Sequence, residues 1–277
     1  MNVYFCEMQH KWILYFLVFI LSSFSELQHE KEPKPELPFK DGEWFEFRIY
    51  YGIFNASYAS LSLEKKELDG KEVFHAKGYG RTTGLARWFF KVEDHYETYF
   101  DAENGLPYKF IRDIDEGGYT KNVEIQFDHD SLLARINDKK KKEQYNVPFE
   151  PNAQDLLSSF YYLRNFYPED EIKENESFSI NMFFDQENYV FQLKFLGKET
   201  INTKFGKVPC LKFRPMVQSG RVFKEQESVT LWVSADKNKI PIRIQADIVV
   251  GSIYADLENF KNLNHPFSIT VDQKLKK

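Results

Sequence analysis

The sequence predicts a mainly β protein, either a single large curved antiparallel sheet or an open half-barrel, with one covering α-helix. Three observations predict this class. Apolar and polar residues alternate with a period of two along many segments, turn-forming residues separate these segments, and a single central segment has a clear helical period. Strands with one apolar and one wet face belong to antiparallel sheets, because parallel sheets bury both faces.

The composition fits one large domain that does not bind nucleic acid. The chain has 277 residues, of which 42% are hydrophobic and 17% aromatic, so the apolar area suffices for an extensive core. The net charge is −5, whereas nucleic-acid binding relies on a basic surface.

The first 25 residues are predicted to be a signal peptide. The apolar run Trp12–Ser25 is shorter than the roughly 20 residues that a membrane-spanning helix needs. Ser23 and Ser25 are small residues with the spacing that signal peptidase reads, so cleavage is expected after Ser25. An uncleaved anchor and a buried strand are the alternatives, and both Met1 and Met8 remain open as the start.

Export implies a periplasmic or secreted protein with no transmembrane span after cleavage. Cys6 precedes the apolar run, so it cannot be the lipidated first residue of a mature lipoprotein. Residues 26–40 are charged and proline-rich, which predicts a flexible spacer. Residues 41–261 form the predicted β-rich domain, and 262–277 a loose C-terminal tail.

The predicted strands share an apolar residue at every second position. Turn residues between them, such as Asp69-Gly70, Glu116-Gly117-Gly118, Asp128-His129-Asp130, Phe205-Gly206 and Ser219-Gly220, predict hairpins. The clearest alternation covers 44–51, 122–127, 190–195, 229–233, 240–248 and 253–257.

One amphipathic helix is predicted over about 153–165, with Asn152 as its N-cap and Pro168 enforcing its end. Leu156, Phe160 and Leu163 have the spacing of one helix face, so the helix is expected to cover the apolar face of the sheet. A second, shorter helical turn is predicted within 83–90.

No residue pattern predicts a metal ion, a cofactor or a catalytic residue. The six histidines lack the spacing of zinc ligands, and the pairs Asp94-His95 and His129-Asp130 alternate faces if they lie on strands. No phosphate-binding loop or nucleophile elbow occurs. Cys210 is interpreted as a small buried apolar residue, and an internal disulfide framework is excluded after signal cleavage because it would be the only cysteine left.

The densest aromatic segment is Arg87-Trp88-Phe89-Phe90-Lys91. It is interpreted either as a lip that touches a lipid, a glycan or a partner, or as a loop plug buried in the core. The candidate ligand-binding residues are Trp88, Phe89 and Phe90 from this segment, Phe45 and Phe47 from the first strand, and Phe160 from the helix.

Several segments resemble the exported bacterial family known as domain of unknown function 3108. They are Gly42–Gly52, Val92–Asp101 with Leu106-Pro107, Asp155–Arg164, and Leu231–Asp236 with Ile240–Ile244. The resemblance covers Gly42 to about Phe260. It implies a Gram-negative envelope location and a host such as a member of the Bacteroidetes. The layout also resembles the curved, helix-covered sheet of periplasmic lipoprotein carriers. It implies no catalytic residues, because the family has no established activity.

Two function classes follow from these patterns. The first is a non-catalytic envelope protein that binds a hydrophobic ligand such as a lipid, or an envelope protein, on its curved sheet. The alternative is an envelope hydrolase that cleaves glycans or peptides with carboxylates such as Asp94, Glu97 or Asp155 across a cleft. A cavity of a few hundred Å³ would favour a ligand over a scaffold role.

Overall fold

A computed structural model describes residues 36–168, 171–216, 228–248 and 250–270. The predicted signal peptide, most of the predicted spacer and the predicted turn at Ser219-Gly220 lie outside the described residues.

The described residues form one antiparallel sheet of fourteen strands and two helices, which confirms the predicted fold class. The order across the sheet is β8-β7-β6-β5-β4-β3-β2-β1-β14-β13-β12-β11-β10-β9, and the two outer strands do not pair, so the sheet is not closed into a barrel. The elements are β1 (Trp44–Tyr51), β2 (Phe54–Leu68), β3 (Lys71–Thr82), α1 (Gly84–Phe89), β4 (Val92–Asp101), β5 (Pro107–Glu116), β6 (Tyr119–Asp128), β7 (Leu133–Asp138), β8 (Glu143–Pro148), α2 (Leu156–Phe166), β9 (Ser177–Phe184), β10 (Glu187–Thr203), β11 (Gly206–Met216), β12 (Val229–Ser234), β13 (Pro241–Asp247) and β14 (Ser252–Lys261).

The sheet has an apolar inner face, against which α2 packs, and a polar outer face. Phe45 and Leu63 point inward and are fully buried. On the outer face, Arg243 forms a bidentate ion pair with Asp256 across neighbouring strands, at 2.6 and 2.7 Å. This division follows from the period-two alternation, because successive side chains of a strand point to opposite faces.

The N-cap of helix α2 lies three residues after the predicted cap position. Asn152 lies in a turn with φ +58°, and the N-cap is Asp155, whose carboxylate accepts hydrogen bonds from the backbone N–H groups of Leu157 and Ser158. The prediction of Asn152 is wrong because the backbone of Gln154 pairs with β9 before the helix starts. The helix begins at Leu156 and ends at Phe166 instead of covering about 153–165.

The sheet curls so that the β9–β10 hairpin packs over the inner face of β5 and β6. Phe183 of β9 is buried in a cluster with Phe110 and Phe127. Asp185, in the hairpin turn, pairs with Arg112 at 2.6 Å and with Lys121. Side-chain packing and ion pairs thus link strands that share no backbone ladder.

Both ends of the described chain are packed more tightly than the sequence predicts. Phe39, which falls within the predicted spacer, is buried against Phe74 and Tyr161. Phe267, which falls within the predicted loose tail, packs on Phe260 at a ring distance of 5.0 Å, and His265 is buried. Within residues 37–40 and 262–270, the contacts of Phe39, His265 and Phe267 thus attach both segments to the fold.

Helix α1 forms the connection between β3 and β4 at one end of the sheet. The turns β1–β2, β5–β6 and β13–β14 lie at this end together with the β3–β4 connection, and the turns β2–β3, β6–β7 and β10–β11 lie at the other. Helix α1 confirms the predicted short helical turn. Trp88 and Phe89 on α1 are each 88% exposed, so the interpretation of this segment as a buried plug is wrong.

Candidate functional site

An apolar cavity of about 160 Å³ lies between α2 and the inner face of the sheet. Its walls are almost wholly apolar, and the charged side chains among its lining residues are Arg164 and Lys239. The sheet strands that form it are β10 to β13, and its lining residues are Phe160, Leu163, Arg164, Tyr167, Leu193, Leu211, Phe213, Leu231, Val233, Lys239, Pro241 and Ile244.

The cavity opens onto a continuous row of apolar side chains on the inner face. The strand register pairs directly opposite residues, whose side chains share one face, in the order Phe195, Phe213, Leu231, Ile244, Ala255 and Ile49. Phe213 is 3% exposed and Ile244 is 38% exposed, so the row leads from the buried cavity to an open surface.

The next row leads toward the end of the sheet that carries α1. Val229, Ala246, Ile253 and Tyr51 are paired across β12, β13, β14 and β1 in the same way. Ile253 and Tyr51 are exposed. The inner face is thus apolar from the cavity to that edge, which suits contact with an extended hydrophobic molecule.

One buried ion pair fixes the end of α2 beside the cavity. The Arg164 guanidinium donates to both carboxylate oxygens of Glu43, at 2.6 and 2.8 Å, and to the backbone oxygens of Asn238 and Pro38. Its plane also lies near the rings of Phe45 and Phe160. Since both charged side chains are buried, they hold the helix at a defined position over the sheet.

The six predicted ligand residues do not form one site. Phe160 lines the cavity. Phe45 is fully buried, and the partly buried Phe47 packs against the same core cluster. Trp88, Phe89 and Phe90 belong to the exposed connection at the edge. Leu231 and Ile244 could not be predicted as cavity residues, because alternation shows that a strand has an apolar face but not which strands lie beneath the helix.

The three carboxylates proposed for a hydrolase do not face one another across a cleft. Asp94 is on the inner face and Glu97 on the outer face, where it accepts a hydrogen bond from His75 at 2.7 Å. Asp155 is fully buried and holds the start of α2, with a further hydrogen bond from the Thr98 hydroxyl. Glu97 and Asp155 therefore have structural roles in the fold.

Asp94 is an inner-face carboxylate in an unfavourable environment. Burial and the neighbouring charge of Glu116 raise the pKa of Asp94 to about 6. Its Oδ1 atom has no hydrogen-bond partner among the described residues. The folded state therefore favours the protonated form between about pH 4 and 6, and the ionised form at higher pH weakens the fold.

Replacing Asp94 with asparagine is expected to raise the free energy of unfolding by about 1 kcal/mol at pH 8, after allowance for partial solvent screening. The gain should disappear near pH 4, where the wild-type carboxyl is protonated in both the folded and the unfolded state. Urea unfolding at the two pH values measures this. Asp113→Asn, on the exposed face of β5, is the matched control and should change stability at neither pH.

The remaining titratable groups support turns or the core. Asp128 accepts the backbone N–H groups of Asp130 and Ser131, and the His129 Nε2 hydrogen-bonds the Pro107 carbonyl oxygen at 2.7 Å. Cys210 is buried as predicted, and burial raises the pKa of its thiol to about 12. Among the described residues, no three His, Cys, Asp or Glu side chains are placed to hold a metal ion.

A second, polar cavity of about 370 Å³ lies at the end of the sheet that carries the β2–β3 and β6–β7 turns, away from α1. Asp128, His129 and Arg135 are part of its wall, together with Lys71 and Tyr108. Tyr108 donates to Asp101 at 2.7 Å, and Lys71 lies over the Tyr108 ring. In this wall, the contacts of Asp128, His129 and Tyr108 stabilise turns and loops. They therefore give no reason to assign a binding site to this cavity.

The family model described as Protein of unknown function (DUF3108) matches residues 46–258. The chain belongs to this family. The predicted resemblance is thereby confirmed. In this DUF3108 chain, the matched residues include the whole apolar row of the inner face, from Ile49 on β1 to Phe195 on β10, and end before Phe260. No curated protein matches the chain.

One solved structure shares the fold with this DUF3108 chain, and two others align more weakly. A β-barrel-like protein of domain of unknown function DUF1849 from Brucella abortus aligns with a TM-score of 0.50 at 8% identity, covering 81% of this chain and 99% of that one. A DUF1089 family protein from Pseudomonas aeruginosa aligns at 0.35 and 10% identity, covering 70% and 92%. A proposed lipoprotein from Parabacteroides distasonis aligns at 0.32 and 13%, covering 81% and 97%. Neither described helix has the length and apolar content to cross a bilayer.

Proposed function

We propose that this protein is a non-catalytic binding protein of the cell envelope that holds the apolar chain of a lipid or a similar hydrophobic ligand beneath α2. The observation that carries the proposal is the apolar cavity and its open continuation along Leu231, Ile244 and Ala255. A sheet face that served only as core would be covered along its whole length, whereas Ile244 is 38% exposed.

The size of the cavity defines how a ligand would sit. Its volume of about 160 Å³ is smaller than the few hundred Å³ expected for a complete ligand site. It therefore accommodates the end of an acyl chain, and the rest of the chain would lie along the open row toward Ile253 and Tyr51. Arg164 and Glu43 neutralise each other, so a polar headgroup is expected at the open end instead.

The periplasmic or secreted location is part of the proposal. The apolar run that ends at Ser25 and the small residues Ser23 and Ser25 support export and cleavage. An exported protein with an apolar, partly open inner face would meet lipids at the membrane surfaces of the envelope.

Binding of a pyrene-labelled hexadecanoic acid tests the proposal. The chain starting at Glu26 should bind the probe, and Ile244→Gln should weaken binding by about tenfold, because the amide would be desolvated against an acyl chain. Ile244 is already exposed, so the substitution should leave the fold intact. Val190→Gln is the matched control, because Val190 is also exposed but lies on the opposite face from Leu193.

Protein recovered from the envelope fraction of its own host extends the test. Its first residue should be Glu26, and organic extraction should release lipid. Equal probe binding by wild type and Ile244→Gln, or lipid-free protein that binds no probe, would contradict the proposal and favour a scaffold that acts on other proteins through its surface.

A further inference from the structure

Three neighbouring connections at one edge of the sheet carry strongly exposed apolar side chains. We call these six residues the apolar rim. They are Ile53 in the β1–β2 turn, Phe54 at the start of β2, Leu85, Trp88 and Phe89 in α1, and Val250 in the β13–β14 turn, and they are 91, 68, 76, 88, 88 and 70% exposed, respectively. Such exposure is unusual for large apolar side chains when they are clustered.

The rim is one patch because its connections are adjacent. The strand order places β4, β3, β2, β1, β14 and β13 side by side. The Tyr51 hydroxyl donates to the Val250 carbonyl oxygen at 2.9 Å, which joins two of the turns. The Thr83 N–H donates to the Ala56 carbonyl oxygen at 3.1 Å, which holds the start of α1 against β2.

The exposed position of Trp88 and Phe89 is built into the fold. The ring of Phe90 packs on Gly117, where a Cβ atom would come within 2.4 Å of the ring, so a side chain there would force the ring away. The Gly117 N–H also donates to the Lys91 carbonyl oxygen at 2.7 Å. Phe90 thus anchors the connection, and the two preceding aromatic residues point into solvent.

Two cations lie beside the rim residues. In the described parts of the three connections, residues 51–54, 83–91, 248 and 250–253, the charged residues are Arg87 and Lys91. Each pairs with an anion at the base of the rim, Arg87 with Glu93 and Lys91 with Asp115. Because Glu93 and Asp115 balance the two cations, the charge around the rim is close to zero, whereas the whole chain carries a charge of −5.

We propose that the apolar rim docks the protein onto the surface of a lipid bilayer. Tryptophan and phenylalanine beside arginine and lysine are typical of segments that lie at the boundary between headgroups and acyl chains. The rim side chains stand on separate connections at the same edge of the sheet. A bilayer can deform around such separate side chains. The Arg87 and Lys91 side chains remain 42 and 44% exposed beside their carboxylate partners, so lipid phosphates can also accept hydrogen bonds from them. The proposal does not depend on ligand binding in the cavity.

Flotation with lipid vesicles tests the docking. The chain from Glu26 onward is used, so that the apolar run of the predicted signal does not contribute. It should bind vesicles of phosphatidylcholine containing a quarter phosphatidylglycerol, and the double variant Trp88→Ser/Phe89→Ser should bind about tenfold more weakly, because two large apolar side chains no longer insert. Ile269→Ser is the matched control, since Ile269 is exposed near the β10–β11 turn at the opposite end.

Quenching of tryptophan fluorescence by brominated lipid locates the contact. Trp88 is strongly exposed at the rim, whereas Trp232 is buried and Trp44 lies at the other end of β1. Vesicle binding should therefore quench wild-type emission, and Trp88→Phe should remove most of the quenching while vesicle binding persists. Equal vesicle binding by wild type and the double variant would overturn the proposal. Wild-type protein that binds no vesicles but forms a dimer that the double variant cannot form would also overturn it, and would assign the rim to a second copy of the chain.

Discussion

Replacing Arg164 with methionine is expected to lower the free energy of unfolding by about 3–5 kcal/mol. The methionine fills a similar volume but leaves the Glu43 carboxylate buried without its cation, and a buried unpaired charge is costly. The backbone oxygens of Asn238 and Pro38 also lose their donor. Chemical denaturation with one tryptophan-based and one circular dichroism signal measures the loss.

Two controls separate the buried pair from charge loss in general. The double variant Glu43→Leu/Arg164→Met removes both charges, and its destabilisation should be smaller than the sum of the two single effects by about 2 kcal/mol. Arg135→Met removes an exposed arginine that pairs with Asp128, and should change stability by less than about 0.5 kcal/mol. Additive effects of Glu43→Leu and Arg164→Met would show that the pair does not act as a unit.

The Arg164 variant also affects the proposed site. Arg164 borders the apolar cavity, and its contacts reach the segment before β1 and the β12–β13 connection. Through these contacts, Arg164 and Glu43 connect α2 with the segment before β1 and with the sheet. Loss of the Arg164–Glu43 ion pair should weaken binding of the acyl probe in proportion to the loss of folded protein.

Replacing Asp155 with alanine is expected to lower the free energy of unfolding by about 2–4 kcal/mol at pH 5. The substitution removes the N-cap of α2 and the acceptor of the buried Thr98 hydroxyl, so buried donors are left without partners. Burial raises the pKa of Asp155 to about 6, although hydrogen bonds from Ser158, Thr98 and Leu157 favour its ionised form.

The sign of the pH dependence follows from that pKa. Because the pKa is higher in the folded than in the unfolded state, the contribution of Asp155 to stability is complete below about pH 4 and declines as the pH rises through 6. The destabilisation caused by Asp155→Ala should therefore be smaller at pH 8 than at pH 5. Thermal or urea unfolding at the two pH values measures the difference.

Asp155→Asn distinguishes a cap from a catalytic carboxylate. The amide oxygen can still accept from Leu157 and Ser158, so most of the stability should be retained and its pH dependence should flatten. If asparagine and alanine destabilised the protein equally, capping would not be the role of this residue. A loss of any envelope function in a stable Asp155→Asn variant would reopen the hydrolase hypothesis.

The local elements were largely predictable because their signals are local. Alternation over residues 44–51 predicted β1 with its observed bounds, and the turn residues at Asp69-Gly70 lie between β2 and β3. The cap of α2 was not predictable, since Asn152 and Asp155 are both good N-caps. The choice between them depends on the pairing of Gln154 with β9, which is remote in sequence.

The candidate site was less predictable than the fold. Phe160 was correctly placed on the helix face toward the sheet, and it lines the cavity. Leu231 and Ile244 could not be selected, because every alternating strand offers similar residues. The exposure of Trp88 and Phe89 could not be decided either, since an aromatic segment fits a core and a surface equally well.

By itself, the sequence determined that the described chain forms hairpin-linked antiparallel strands and one amphipathic helix, because period and turn chemistry act between near neighbours. Only the tertiary structure decided where the helix lies, which apolar face stays open and which aromatic residues reach solvent. The pair Arg164 and Glu43 is separated by 121 residues, and the rim joins three connections from both halves of the chain. Such contacts depend on how the strands are ordered and how the sheet curves, and no single segment encodes either.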